Sequence, residues 1–447
     1  MTGAADALDL EGQLPPRHHH RAGAALDARA ALKLIPDQAR VYVAPFGAVP
    51  TTLLDAMVEE RHRWTRIETV SEYLYQPLAT FQHPGAPFVH CSLQPSTALV
   101  SLQRLDGGAA ALRIVPSSTS RYAAHLAPGG PLAADVALVQ VSPPDERGRF
   151  SLGILGGATA EVVRSAPVVI AEVNPAMPFT RGVSECDRSD FDALVEVSHP
   201  LLEAPAAQRS ELAVAVADHV VGLVPEQATL EYGIGAIPDA VLDALADRSD
   251  LGIHSGMLGD AAIDLIERGV VNGRAKTVDA GLHVACALIG SERLYRWVDG
   301  RDDVVLVTAG YSHGTPSLAR QGRFCAINSA LEVALDGSVN AEVAARRVVS
   351  GPGGQPDFAS GAALAPGGVA IVAMPSTAAR GRVSRIVAEI GPGRPITVPR
   401  HLADKVVTEQ GVADLRGIDV ALRAERMLAI AHPDHRDSII TAPARAY

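Results

Sequence analysis

Three short stretches place polar side chains or bare backbone where chemistry could be done. "LGIHSGMLGD" (251–260) reads as the end of a buried strand and the loop after it. His254, Ser255 and Asp260 supply polar groups there, while the loop tip, Gly256, has no side chain. His254 suits either packing or the lining of a site, where it would act as a general base. "EYGIGAIP" (231–238) is a glycine loop between a strand and a helix. Gly233 and Gly235 would let backbone N–H groups approach a ligand, and the helix start favours negative charge. It is not a GxGxxG pattern, so a dinucleotide fingerprint fits poorly. "SGPGGQPDF" (350–358) crowds Gly351, Gly353 and Gly354 into one loop. Such a loop costs backbone entropy and suits close approach. The N–H groups of Gly353 and Gly354 could form an oxyanion hole for a thioester carbonyl.

Other candidates carry less. "SPPDERGRFSLG" and "EVNPAMPFTRG" each follow an apolar run, where loops gather at the carboxyl edge of a parallel sheet. His432 reads as a structural or surface histidine. Cys91, Cys186, Cys286 and Cys325 are widely spaced with no CxxC pair, and read as reduced core residues. His18, His19 and His20 lack partner ligands at fixed spacing, so no metal is expected. P-loop and HExxH patterns are missing from the sequence, and no GxSxG nucleophile elbow is expected.

The elements that must hold these loops follow from the apolar pattern. Strands are expected over 39–46, 136–144, 166–175, 228–235, 250–255, 302–308, 367–374 and 384–390. Helices are expected from a cap near Thr51 to 64, between the 136–144 and 166–175 strands, and over 211–224 and 236–248. Alternation of this kind predicts an α/β protein with two similar domains and largely parallel sheets. The expected division is a mobile tail over 1–27, an N-terminal α/β domain over 28–200, and a C-terminal α/β domain over 208–440. "VSHPLLEAPAAQRS", near 197–210, would link them. A net charge of −11 over 447 residues argues against a nucleic-acid surface. No run of 18 apolar residues suggests a membrane span, and no signal-peptide core precedes the first domain, so the expected compartment is the cytoplasm.

Taken together, "FGAVPTTLLDAM", "VQVSPPDERGRFSLG", "AEVNPAMPFTRG", "EYGIGAIPDAVLDAL", "DLGIHSGMLGD", "INSALEVALDGSVNAE", "SGPGGQPDF" and "VTEQGVADLRG" resemble the acetyl-CoA hydrolase/CoA-transferase family, nearest its 4-hydroxybutyrate CoA-transferase branch. The resemblance spans about 40 to 437 and is looser between 60 and 130. It implies the CoA-transferase family I (NagB/RpiA/CoA-transferase-like) fold, a site in the cleft between two domains, and a homodimer. It implies an acyl-CoA and a small carboxylic acid as partners, with coenzyme A as the carrier. It places CoA against Glu231, Tyr232, Gly233, Ile234 and Gly235, and against Gly353 and Gly354. In that family a Glu carboxylate attacks the thioester and becomes a glutamyl–CoA.

The same resemblance puts that Glu at the position of Gly256, and glycine has no carboxylate. Three readings stay open. Glu231, usually Gln in this branch, could be a relocated carboxylate, provided its strand and the one before Gly256 are neighbours about 4.8 Å apart. Water or another acceptor could attack the thioester directly, with Glu231 or His254 as base. The chain could also bind CoA without catalysis, alone or as a partner subunit.

Overall fold

The run "VALVQV", strand Val136–Val141, is buried at every position. Such a run fits only a strand with both faces covered, as in a parallel sheet flanked by helices. In the computed structural model, which describes residues 8–16, 23–82, 87–102 and 112–441, it lies near the centre of an eight-stranded sheet. The strand order is Ala24–Ala25, Ala193–Glu196, Val168–Val173, Val136–Val141, Gln38–Val43, Arg66–Ser71, Phe88–Ser92 and Leu112–Ile114. Every neighbouring pair runs parallel. A second sheet has the order Gly252–Ile253, Thr229–Tyr232, Phe324–Asn328, Val369–Ala373, Lys405–Thr408 and Gly411–Asp414. Only its last pair is antiparallel.

Residues 197–210 carry no helix or strand. The two sheets nonetheless share one large buried cluster, in which Tyr42 and Val139 join Leu230, Ile327 and Ile371. A small parallel sheet ties them further, pairing Arg181–Gly182 with Val304–Leu306 and that strand with His283–Ala285.

Several expectations are corrected. Thr51 does not cap its helix: Thr51–Glu59 has no side-chain cap, and Glu172 Oε1 instead accepts from Leu53 N at 2.7 Å. A buried carboxylate on a neighbouring strand does what a hydroxyl at the helix start would do. The expected tail over 1–27 is docked where it is described. Gln13 Oε1 accepts from Thr308 N at 3.1 Å, Leu8 and Leu10 pack on Val284, Val305 and Val307, and Ala24–Ala25 adds an edge strand. The run of His18, His19 and His20 lies outside the described residues. The 302–308 strand is real but belongs to the small sheet. The 384–390 strand reduces to the two-residue pieces Val383–Ser384 and Ile386–Val387.

The sequence reading passed over Arg66–Ser71, Phe88–Ser92, Phe324–Asn328 and Lys405–Thr408. Arg66–Ser71 hid because it carries a charge into the sheet. Glu68 is buried there, accepting from Arg113 at 2.6 Å with Arg40 at 3.6 Å, which is how a buried charge is tolerated.

Candidate active site

Loops after parallel strands collect at the carboxyl edge of each sheet, and here the two edges face one cavity of about 380 Å³. Glu72 enters it just past strand Arg66–Ser71, and Gln94 just past Phe88–Ser92. From the other sheet come Glu231 and Tyr232, ending Thr229–Tyr232, and Asn328, ending Phe324–Asn328.

The glycine loop of the second half is clamped onto the first. Thr119 N donates to Gly353 O at 3.0 Å, and Asp357 accepts from Ser120 Oγ at 2.7 Å and from Ser120 N at 3.1 Å. Gly353 has φ of +58°, and a Cβ there would come within 2.9 Å of Gln94 Nε2. A side chain is strained in that conformation by about 1–2 kcal/mol. Gly353→Ala is therefore expected to lower unfolding stability by about that amount, read from urea midpoints; an unchanged midpoint would show that the loop relaxes freely. Gly353 and Gly354 line the cavity at the start of helix Gln355–Leu364.

Glu231 is 2% exposed. Its Oε2 accepts from Asn328 Nδ2 at 2.6 Å. Burial pushes its carboxyl up to about 8, against the pull of the Asn328 amide and the Ile327 backbone. A group so shifted is mostly a neutral acid at pH 7. The neighbour condition on its strand is met: Thr229 pairs with Gly252 and Leu230 with Ile253. The side chain itself bonds to the strand on the other side.

Around Gly256 the wall is tight. A Cβ on Gly256 would lie 2.8 Å from His313 Nε2, 3.0 Å from His313 Cε1 and 3.4 Å from Phe358 Cε2. The Cys286 thiol donates to Gly256 O at 3.0 Å, and burial pushes that thiol up to about 12, so it stays protonated.

His254 is not part of the cavity wall. It is fully buried, with Nε2 3.2 Å from Ser312 O and Nδ1 2.9 Å from Gln321 Nε2. Burial, followed by the charge on buried Lys276, pushes it down to about 3. Both nitrogens are engaged, so the proposed base is a structural prop. Of the five residues 231–235, the first four line the cavity and Gly235 does not. Gly235 takes φ of +126° at the head of helix Ala236–Ala244. His432 caps a short turn, accepting from Asp434 N at 3.3 Å. All four cysteines are free and buried, with Cys286 in the cavity wall.

Sequence reasoning missed the two cavity residues that, besides Glu231, carry a carboxyl or an imidazole. Glu72 accepts from the Tyr42 hydroxyl at 3.2 Å, and burial lifts its carboxyl to about 7. His313 sits in "YSHG", past the 304–306 strand. The available signals were a Glu or His just after an apolar run and, for His313, its place in the Gly-x-Ser-x-Gly run 310–314.

The family model for the acetyl-CoA hydrolase/transferase C-terminal domain matches residues 290–442. The 4-hydroxybutyrate coenzyme A transferase of Clostridium kluyveri is 36% identical over 420 residues, covering 92% of this chain and 95% of that protein. The chain belongs to the acetyl-CoA hydrolase/CoA-transferase family. It is an enzyme of that acyl-CoA-processing class. Among solved structures, RipA from Yersinia pestis superposes with a TM-score of 0.87 at 31% identity, covering 94% of this chain and 96% of that one. The 4-hydroxybutyrate CoA-transferase from Porphyromonas gingivalis gives 0.77 at 31% identity, covering 93% and 96%.

Membership in the CoA-transferase family accounts for the two facing sheets and the cavity between them. Among the described residues, no group of three or more His, Cys, Asp or Glu side chains is placed to hold a metal ion. No described helix is long and apolar enough to cross a membrane.

Proposed function

We propose that the cavity takes an acyl-CoA and that its acyl group passes directly to water or another acceptor, without a glutamyl–CoA intermediate. One observation carries this reading. The space into which a side chain at position 256 would grow is filled by the His313 ring, 2.8 Å from the Cβ position. The wall is closed around a glycine rather than left open for a carboxylate. Glu231 lines the same cavity, but burial keeps it largely protonated near neutral pH, and a carboxylic acid is a poor nucleophile. As an acid it can instead donate a hydrogen bond or a proton.

Residues 231–234 and the glycine loop at 353–354 would hold the pantetheine arm. The N–H groups of Gly353 and Gly354 would receive the oxyanion as the thioester carbonyl becomes tetrahedral. The C–S bond then breaks and CoA leaves as the thiol. A homodimer, cytoplasmic residence and a division of the chain near 197–210 accompany this reading.

A second reading has its own support. The Glu231 strand does neighbour the strand before Gly256, and Glu231 and Gly256 line the same cavity, so Glu231 as a relocated nucleophile is sterically open. One experiment separates the two. Acetyl-CoA, butyryl-CoA and 4-hydroxybutyryl-CoA are incubated with the protein, with and without acetate, and products and intact protein are weighed by mass spectrometry. Direct attack predicts free CoA without acetate and no adduct on the protein. Release that depends strictly on acetate, with a borohydride-reducible protein–CoA thioester, would establish the relocated nucleophile instead. No turnover on any of the three would leave a CoA binder.

A further inference from the structure

The residue that stands where a side chain at 256 would be is His313. Two glycines make room for its Nε2. A Cβ on Gly256 would lie 2.8 Å from that nitrogen, and a Cβ on Gly354 only 2.6 Å from it. His313 lines the cavity together with both glycines.

The ring is held from behind. Its Nδ1 is 2.8 Å from Ser312 Oγ, and that hydroxyl donates to Thr308 O at 3.1 Å. In the tautomer in which the serine hydrogen goes to Thr308 O, Nδ1 carries the ring hydrogen and Nε2 keeps its lone pair, and this is the tautomer the proposal uses. Phe358 packs on the ring with centroids 4.5 Å apart. His254 braces the same segment through Ser312 O at 3.2 Å, and Gln321 fixes His254 in turn at 2.9 Å. A base oriented by a hydrogen-bonded partner, itself oriented by a third group, is the arrangement nucleophile activation requires.

We propose that His313 is the catalytic base of this enzyme, with Nε2 taking the acceptor's proton as the acceptor attacks the thioester carbonyl. The proposal rests on the direct-attack reading above. For water as acceptor, the O–H bond breaks as N–H forms on Nε2 and C–O forms at the carbonyl carbon. The tetrahedral intermediate then expels the CoA thiolate, breaking C–S, and the imidazolium returns its proton to that sulfur. One acyl-CoA and one water give one carboxylic acid and one CoA thiol, with nothing oxidised or reduced.

Depth in the wall argues for a base rather than an acylated nucleophile. Nε2 lies close to where a Cβ at 256 would sit, whereas a Glu side chain carries its carboxyl carbon two bonds beyond Cβ. A thioester placed for that carboxyl stands off from Nε2, with room for the attacking molecule between them. Burial keeps the ring neutral, with its pKa pushed to about 3. The ring therefore rests unprotonated, and the negative charge developing on the thioester oxygen would offset the burial cost of the imidazolium as it forms.

The test compares the parent with His313→Ala and His313→Asn, using whichever of acetyl-CoA, butyryl-CoA and 4-hydroxybutyryl-CoA the parent turns over. Both variants are expected to lose about 10²–10⁴-fold in kcat with little change in KM. CoA affinity by calorimetry should hold within threefold, and the Asn variant should melt close to the parent, because its smaller amide keeps a donor near Ser312. Free imidazole should restore His313→Ala activity in proportion to the free base, since the vacated ring space opens onto the cavity. A kcat within threefold of the parent in both variants would overturn the proposal. So would a loss in a folded His313→Ala protein that imidazole leaves unchanged. A parent inert on all three thioesters would overturn the direct-attack reading itself, and this proposal with it.

Discussion

Gly256→Glu, made alone, is expected to cost about 1–3 kcal/mol of stability and to yield no protein–CoA thioester. The added Cβ would meet His313 Nε2 at 2.8 Å and Phe358 Cε2 at 3.4 Å. His313 is 3% exposed and packed against Phe358, so its ring has little room to swing aside. The new carboxylate would also enter beside Cys286 and Glu72, neither of which supplies a positive charge. Removing the obstruction should reverse both effects. Gly256→Glu combined with His313→Ala is expected to regain most of the lost stability. It should also form a borohydride-reducible CoA adduct, visible as a mass increase on acyl-CoA. A fully stable single variant with acetate-dependent transfer would show that His313 does not guard that position.

Glu231→Gln should split stability from turnover. In the folded protein the Glu231 carboxyl is lifted to about 8, mainly by burial, from the 4.5 of an unperturbed carboxyl. Below 4.5 both folded and unfolded chains hold the proton, and the group contributes nothing adverse. Between 4.5 and 8 the folded chain keeps a proton that the unfolded chain has released, so stability falls as pH rises through that window. Above 8 the loss is complete. Gln cannot ionise, so the variant should match the parent near pH 4.5. By pH 8.5 it should exceed the parent by about 2–4 kcal/mol. Urea midpoints of the two proteins across that range check this; parallel curves would mean that Glu231 is ionised when folded. Turnover at pH 7 should change by no more than about tenfold, because Gln keeps a hydrogen-bond donor in the same place. A nucleophilic Glu231 would instead lose roughly 10⁶-fold.

These two experiments bear on residues of very different legibility. Gly256 stood out in the sequence because the family resemblance implies an attacking acid at that position, where this chain has none. Glu231 stood out because it closes a strand before a glycine loop, and the cavity does include it. His254 stood out for the same local reason and proved to be a core prop. A strand end looks the same in sequence whether its side chain faces a cavity or a neighbouring loop. Ser312 O and Gln321 decide that for His254, and they lie 58 and 67 residues away. His313 and Glu72 could not be assigned to the site from local sequence, because each joins it only when two separate sheets bring their edges together.

The fold divides along a similar line. Continuous apolar runs such as Val136–Val141 and Val369–Ala373 announced buried parallel strands by composition alone. Arg66–Ser71 did not, because its Glu68 is tolerated only through Arg113 and Arg40, brought in from other strands. By itself, then, the chain's order of residues determined the family, the parallel α/β architecture, the two glycine turns and the absence of a carboxylate at 256. Those properties are local: periodicity, backbone freedom and side-chain identity act within a few residues. Only the tertiary structure decided what stands in place of the missing side chain, how far burial raises Glu231, and that His254 faces inward. Those depend on distances between atoms far apart in sequence, and electrostatic and packing energies follow distance in space.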